Sequence, residues 1–165
     1  MIVFLQALIV LIALYGAAVV TARLAFPLPR LSARRKSEAI PMSEETTLGR
    51  LVAQGLADNP GKSGVLGIPE GRGAIASRLE LARQAEASID AQYYIWEDDT
   101  SGRLLMKALF DAAQRGVRVR MLLDDNGTEG LDAVLAALDG LENFEVRLFN
   151  PSRLRWPKGA GFVVD

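Results

Sequence analysis

The chain has 165 residues, half of them hydrophobic, which is enough for one modest domain with an apolar core. It contains neither cysteine nor histidine, which excludes disulfides, thiolate metal sites and any mechanism of this chain alone that relies on imidazole. Residues 1–36 hold five basic side chains and no acidic one, so residues 37–165 carry a net charge of −6 and no nucleic-acid partner is expected.

The first element is a long apolar segment. Residues 2–20 are hydrophobic apart from Gln6, Tyr15 and Gly16. As a helix this segment would be roughly 28 Å long, close to the hydrocarbon thickness of a bilayer. We therefore predict a single-pass transmembrane anchor over residues 1–22. The alternatives are a cleaved signal peptide, with a weak cleavage site at residues 20–22, and a buried helix of a soluble protein. No basic residue precedes the apolar run, which favours the anchor over a signal.

A juxtamembrane linker is predicted over residues 23–45, because this segment combines three prolines with the basic cluster. Cations next to an apolar span favour contact with an anionic membrane surface. The positive-inside rule would place the domain that follows in the cytoplasm, and the choice of membrane face stays open at this point.

Helices and strands alternate in the remainder of the chain. Apolar residues at helical spacing predict four helices, over residues 46–57, 74–87, about 98–115 and 131–138. Segments rich in β-branched and aromatic residues predict three strands, over residues 88–96, 117–123 and 144–149. Short loops between alternating elements require right-handed crossovers, so the sequence predicts an α/β fold with a parallel sheet.

The candidate site residues follow the second strand. Ligands of parallel sheets bind beyond the carboxyl ends of the strands. Asp125 and Asn126 stand at such an end, and we interpret them as candidate substrate-binding residues at the rim of a site. The alternative is that Asp124 and Asp125 only cap the turn. Two carboxylates without a third ligand make a poor site for a hard cation, so no metal site is predicted.

Two short segments carry weaker signals of ligand binding. Gly61-Lys62-Ser63 is similar to the end of a phosphate-binding P-loop, but Leu56 stands where that motif requires glycine, so we do not predict nucleotide binding. A short basic and aromatic patch near the C-terminus is either a contact for anionic lipid headgroups or an ordinary solvated loop. Its members are Arg153, Arg155, Trp156 and Lys158.

Several segments together carry a family resemblance. They are Gln-Tyr-Tyr-Ile-Trp at 92–96, Thr-Ser-Gly-Arg-Leu-Leu at 100–105, the run from Ala112 to Asn126 with Arg-Gly-Val and Leu-Leu-Asp-Asp-Asn, and Glu-Val-Arg-Leu-Phe-Asn-Pro at 145–151. With Asn-Pro-Gly-Lys-Ser-Gly-Val at 59–65 they resemble the bacterial cardiolipin synthase-like branch of the phospholipase D superfamily, over about residues 43–165.

The resemblance implies a parallel-sheet phospholipase D-like half domain over residues 46–165, incomplete and preceded by the transmembrane helix. Members of that family carry two His-x-Lys-x4-Asp motifs. One histidine attacks the phosphodiester phosphorus, and the other protonates the leaving alkoxide, without a metal or cofactor. The chain has neither motif. No catalytic residue is therefore assigned, and the chain alone is expected to be inactive.

By this resemblance the parent protein is a phosphatidyltransferase of phospholipid biosynthesis, anchored in the bacterial inner membrane, with the bilayer and phospholipid substrates as its partners. A phospholipase D-type hydrolase and a non-catalytic membrane-tethered module are the alternatives. For the fragment we also expect an unpaired sheet edge and an uncovered apolar sheet face.

Overall fold

The computed structural model describes residues 2–28 and 36–152, which fall into two units. The first contains helix α1, Ile2–Ala25, which has no buried residue. In the described part of the chain this is the one helix that is long and apolar enough to cross a membrane, and a signal sequence would pass the same test. The helix continues three residues beyond the predicted end of the anchor at residue 22.

The second unit, residues 37–149, is an α/β layer structure. Its three strands are all parallel and lie side by side in chain order, as predicted. The helices are α2 (Thr47–Asp58), α3 (Gly71–Gln84), α4 (Thr100–Gln114) and α5 (Asp132–Asp139), and the strands are β1 (Ser88–Tyr93), β2 (Arg118–Asp124) and β3 (Phe144–Phe149). The predicted fold class is confirmed.

One face of the sheet carries the core. Successive side chains of a strand point to opposite faces, so Val119, Met121 and Leu123 of β2 share one face, and all three are buried. Leu109 of α4 is 2% exposed and packs in the same cluster, together with residues of α3 and α5. The amphipathic helices therefore cover this one face of the sheet, and the burial of apolar area between the helices and the sheet stabilises the unit.

The opposite face of the sheet is charged. Asp90, Arg120 and Glu145 are partners in register across β1, β2 and β3. Arg120 donates two hydrogen bonds of 2.6 Å to the Asp90 carboxylate, and Arg147 pairs with Glu145. The expectation of an uncovered apolar face is therefore wrong, because charged and polar residues occupy most of the alternate strand positions that point away from the helices.

Part of the segment predicted as linker lies against this charged face. The Ser37 hydroxyl donates to Glu145 Oε2 at 2.8 Å and accepts from Arg120 Nη1 at 3.3 Å. Arg118 Nη2 donates to the Glu38 carbonyl at 2.6 Å. The chain is therefore held on the sheet from residue 37, well before the first helix of the unit.

Two elements, β1 and α3, differ from the sequence prediction by three residues at an end. β1 ends at Tyr93 rather than at residue 96, because Trp96 turns inward: its ring is 5% exposed and its backbone N–H donates to the Gly127 carbonyl at 3.1 Å. α3 begins at Gly71 and ends at Gln84, about three residues earlier at both ends than predicted.

Candidate functional site

The candidate site lies at the carboxyl edge of the sheet. Residues 94–99 follow β1 there, and residues 125–128 follow β2. The strands are parallel, so these two loops leave the sheet at the same edge, where parallel α/β proteins bind ligands.

Two glycines allow the loops to pack closely. A Cβ atom at Gly127 would lie 2.5 Å from the Tyr94 carbonyl oxygen, and one at Gly102 would lie 2.1 Å from the Glu97 carbonyl oxygen. The loop after β1 therefore runs directly against the start of α4 and against the turn after β2. Neither close contact was predicted from the sequence, although the Asn-Gly pair at 126–127 is a turn signal and Gly102 follows a helix cap.

Trp96 anchors the loop after β1 from inside. Its ring meets the Tyr93 ring edge-on, with centroids 4.9 Å apart and an interplanar angle of 79°. Such aromatic pairs are favourable beyond the area they bury. Tyr93 faces the core, whereas Tyr94 is 75% exposed, so the two tyrosines have opposite environments as the strand alternation predicts.

The two aspartates after β2 are turned into the protein. Asp124 Oδ1 accepts from the backbone N–H of Asn126 at 2.9 Å and so caps the 3₁₀ turn at residues 125–127. Asp125 is 1% exposed, and its backbone carbonyl accepts from the Thr128 hydroxyl at 2.9 Å. Asn126 is exposed. Capping thus describes the geometry of Asp124, whereas Asp125 is enclosed and Asn126 is the exposed member of the predicted pair.

The carboxylates after β1 are occupied by local partners. Asp99 Oδ1 accepts from the backbone N–H of Gly102 at 2.7 Å, and this hydrogen bond holds the pKa of Asp99 below its usual value. The hydrogen bond from Arg103, at 2.6 Å, does the same for the pKa of Asp98. Both side chains are therefore anionic near neutral pH. Within residues 2–28 and 36–152 no group of three potential ligands is placed to hold a metal ion.

Two other sequence patterns have different outcomes. Gly61 has a φ of +71° in the turn after α2, and residues 62–69 contain no helix. A phosphate-binding P-loop requires a helix that begins directly after the loop, so these residues do not form one. The basic and aromatic patch at residues 153–158 lies outside the described residues.

Comparison with known proteins gave partial matches. Cardiolipin synthase C of Escherichia coli (strain K12) is 50% identical over 109 residues, which are 66% of this chain and 23% of that protein. Major cardiolipin synthase ClsA of Bacillus subtilis (strain 168) is 34% identical over 88 residues, which are 53% of this chain and 18% of that protein. This chain thus spans less than a quarter of the length of these relatives.

Two further comparisons gave no support for a function. No protein-family model matches the chain. A solved structure of the archaeal chromatin protein TrmBL2 covers 63% of this chain and 41% of its own, with a TM-score of 0.43 and 20% sequence identity, which is too low to bear on fold or function.

Proposed function

We propose, on the premise that this chain is homologous to cardiolipin synthases over about two thirds of its length, that it is the N-terminal part of a membrane-anchored phosphatidyltransferase. The observation that carries the proposal is the 50% identity over 109 residues with cardiolipin synthase C. The family resemblance identified from residues 92–126 and 145–151 agrees with that homology.

The chemistry we propose for the parent protein is phosphoryl transfer through histidine. One imidazole attacks the phosphorus of a phosphatidyl donor and forms a phosphohistidine, while a second protonates the leaving alkoxide. An alcohol acceptor, deprotonated by the second imidazole, then attacks the phosphohistidine and frees the first. This chain has no histidine, so both imidazoles would come from polypeptide outside it.

The contribution of this chain would be positional. The loop after β1 packs against the start of α4 at Gly102 and against the turn after β2 at Gly127, which gives the carboxyl edge of the sheet a defined shape. We assign Asn126, exposed at that edge, to the rim that orients the substrate headgroup. Asp125 would act indirectly, by holding the turn that presents Asn126.

The N-terminal helix fits a lipid substrate. An enzyme that acts on phospholipids needs access to a bilayer, and α1 has the length and composition to enter one. We propose that α1 anchors the chain in the inner membrane with the α/β unit on the cytoplasmic side, as the cations at residues 23–36 favour. A reporter fused after Lys36 tests this orientation, because activity restricted to the outer side would contradict it.

Transfer and hydrolysis differ only in the acceptor. The full-length protein encoded at this locus should be incubated with phosphatidylglycerol in detergent or vesicles. Formation of cardiolipin and glycerol would support the transferase. Phosphatidic acid as the sole lipid product would identify a phospholipase D-type hydrolase instead.

The DNA sequence of the gene distinguishes the third alternative, a non-catalytic membrane-tethered module, from the enzyme. An in-frame His-x-Lys-x4-Asp motif downstream of codon 165 would support the enzyme, and a stop codon there would support the module. Purified residues 1–165 should show no phospholipid turnover, and turnover by them would contradict the assignment of both imidazoles to the missing polypeptide.

A further inference from the structure

Large apolar side chains are exposed on the loop before α3 and on the loop after β1. Val65 and Leu66 of the loop before α3 are 94% and 86% exposed, and Tyr94 and Ile95 of the loop after β1 are 75% and 59% exposed. Exposed apolar residues scattered singly are ordinary on proteins. These four come in two pairs of consecutive residues, one on the loop that leads into α3 and one on the loop after β1, and such a grouping marks an interaction surface.

An apolar groove runs between the loop after β1 and the start of α3. Ile95 lines this groove, of about 630 Å³, together with Ile75, Tyr93 and residues 71–72. Ile68, three residues after Val65, packs against that same helix start, since its Cγ2 lies 3.1 Å from where a Cβ of Gly73 would be. The loop that carries Val65 and Leu66 therefore leads into the helix start that borders the groove of Ile95.

We infer that these two loops form a membrane-contact surface, in which Val65, Leu66, Tyr94 and Ile95 enter the interfacial layer of a phospholipid bilayer. Aliphatic side chains accompanied by tyrosine suit that layer, where one end of the ring is apolar and the other is hydrated. A bilayer is chosen as the partner because the same chain carries α1. A segment tethered to a membrane meets that membrane at high effective concentration, so a small apolar surface suffices to bind.

Charge contributes little to the contact. Arg72 and Arg78 border the groove, and so do Glu97 and Asp99, so the formal charges balance. Insertion of the apolar side chains therefore carries the binding, and the contact should persist at high salt, unlike an electrostatic one.

This inference rests on the proposed membrane location of the chain but not on the proposed reaction. It goes beyond that reaction because the contact requires no histidine and no turnover. A failure of the anchor and a failure of the contact give different results, because only the first prevents the chain from floating with vesicles.

The absence of cysteine makes the test direct. We would prepare full chains V65C, I95C and, as a matched control, Q114C, each labelled with an environment-sensitive fluorophore. Gln114 is exposed at the end of α4, near the opposite edge of the sheet. The probe is a vesicle of phosphatidylethanolamine and phosphatidylglycerol that contains nitroxide-labelled lipid as a quencher.

We expect the labels at 65 and 95 to be quenched and shifted to the blue, and the label at 114 to remain as in water. Adding I95D to V65C should reduce quenching at 65 to the level of the control, while unchanged Trp96 fluorescence would report an intact fold. Unquenched labels at 65 and 95 on chains that float with the vesicles would overturn the inference. So would equal quenching at all three positions, since that indicates unspecific adsorption.

Discussion

Replacement of Gly102 by alanine tests whether the close packing of the loop after β1 against the start of α4 holds the carboxyl edge together. Gly102 is the third residue of α4, so the substitution should gain up to about 1 kcal/mol from helix propensity. The added Cβ would lie 2.1 Å from the Glu97 carbonyl oxygen and 3.1 Å from Trp96 Nε1. The loop and the indole must therefore move together. Overpacking of this kind costs typically 1–3 kcal/mol, so we expect a net destabilisation of about 1–2 kcal/mol.

Gly55 provides the matched control. It also lies inside a helix, α2, but a Cβ there would meet no atom within 4 Å. G55A should therefore be neutral or stabilising by up to about 1 kcal/mol. The same substitution in two helices is thus predicted to have opposite signs, and only the close approach at Gly102 distinguishes them.

Thermal unfolding of the full chain in detergent measures both effects. The chain has two tryptophans, so in a W156F background all tryptophan fluorescence comes from Trp96. Because Trp96 is buried, its emission reports when the loop after β1 unfolds. G102A should lower the midpoint by roughly 4–8 °C, given about 4 °C per kcal/mol for a unit of this size. A G102A chain that unfolds at or above the wild-type temperature would show that the loop after β1 does not pack against α4 as described.

Three further predictions concern the core, the charged face and the rim. L109A should cost about 2–5 kcal/mol in chemical denaturation because Leu109 is 2% exposed, whereas L104A, at a position 48% exposed, should cost far less; equal losses would contradict the assigned core. The hydrogen bond from Arg120 lowers the pKa of Asp90, so this carboxylate stabilises the fold above its unfolded pKa of about 3.9 and loses that contribution as pH falls through the lower folded value. At neutral pH the wild-type protein should exceed D90N in free energy of unfolding by less than about 1 kcal/mol, because the ion pair is partly exposed. This difference should shrink as the pH falls. A difference that grows in acid would refute the pairing. In the full-length enzyme N126A should raise KM for phosphatidylglycerol with unchanged unfolding temperature, and wild-type kinetics would remove Asn126 from the rim.

The charged sheet face bears on how the parent protein is built. Asp90, Arg120 and Glu145 form a line across all three strands, and Ser37 already bonds to two of them. A layer that packs on this face must present polar groups, because burying these charges against an apolar surface would leave them without compensation. The segment from residue 37 satisfies that condition in part, which explains why it is ordered on the sheet.

The sequence by itself determined the fold class, the order of elements and the presence of the long apolar helix. These properties depend on local periodicity: apolar residues at helical spacing specified α4 and α5, and the β-branched and aromatic runs specified β2 and β3. The family resemblance was likewise legible from short segments, because it depends on residue identity and not on contacts.

Only the tertiary structure decided the end of β1, the burial of Asp125 and the character of the second sheet face. Tyr94-Ile95-Trp96 has the composition of a strand. The chain leaves the sheet there because the Trp96 side chain packs in the core and its backbone N–H donates to the Gly127 carbonyl. The close approach of Gly127 to Tyr94 joins residues that are far apart in the chain and meet only when β1 and β2 lie side by side. Charged residues on alternate positions look like a solvated surface in sequence, and only strand register reveals that Asp90, Arg120 and Glu145 stand in one line.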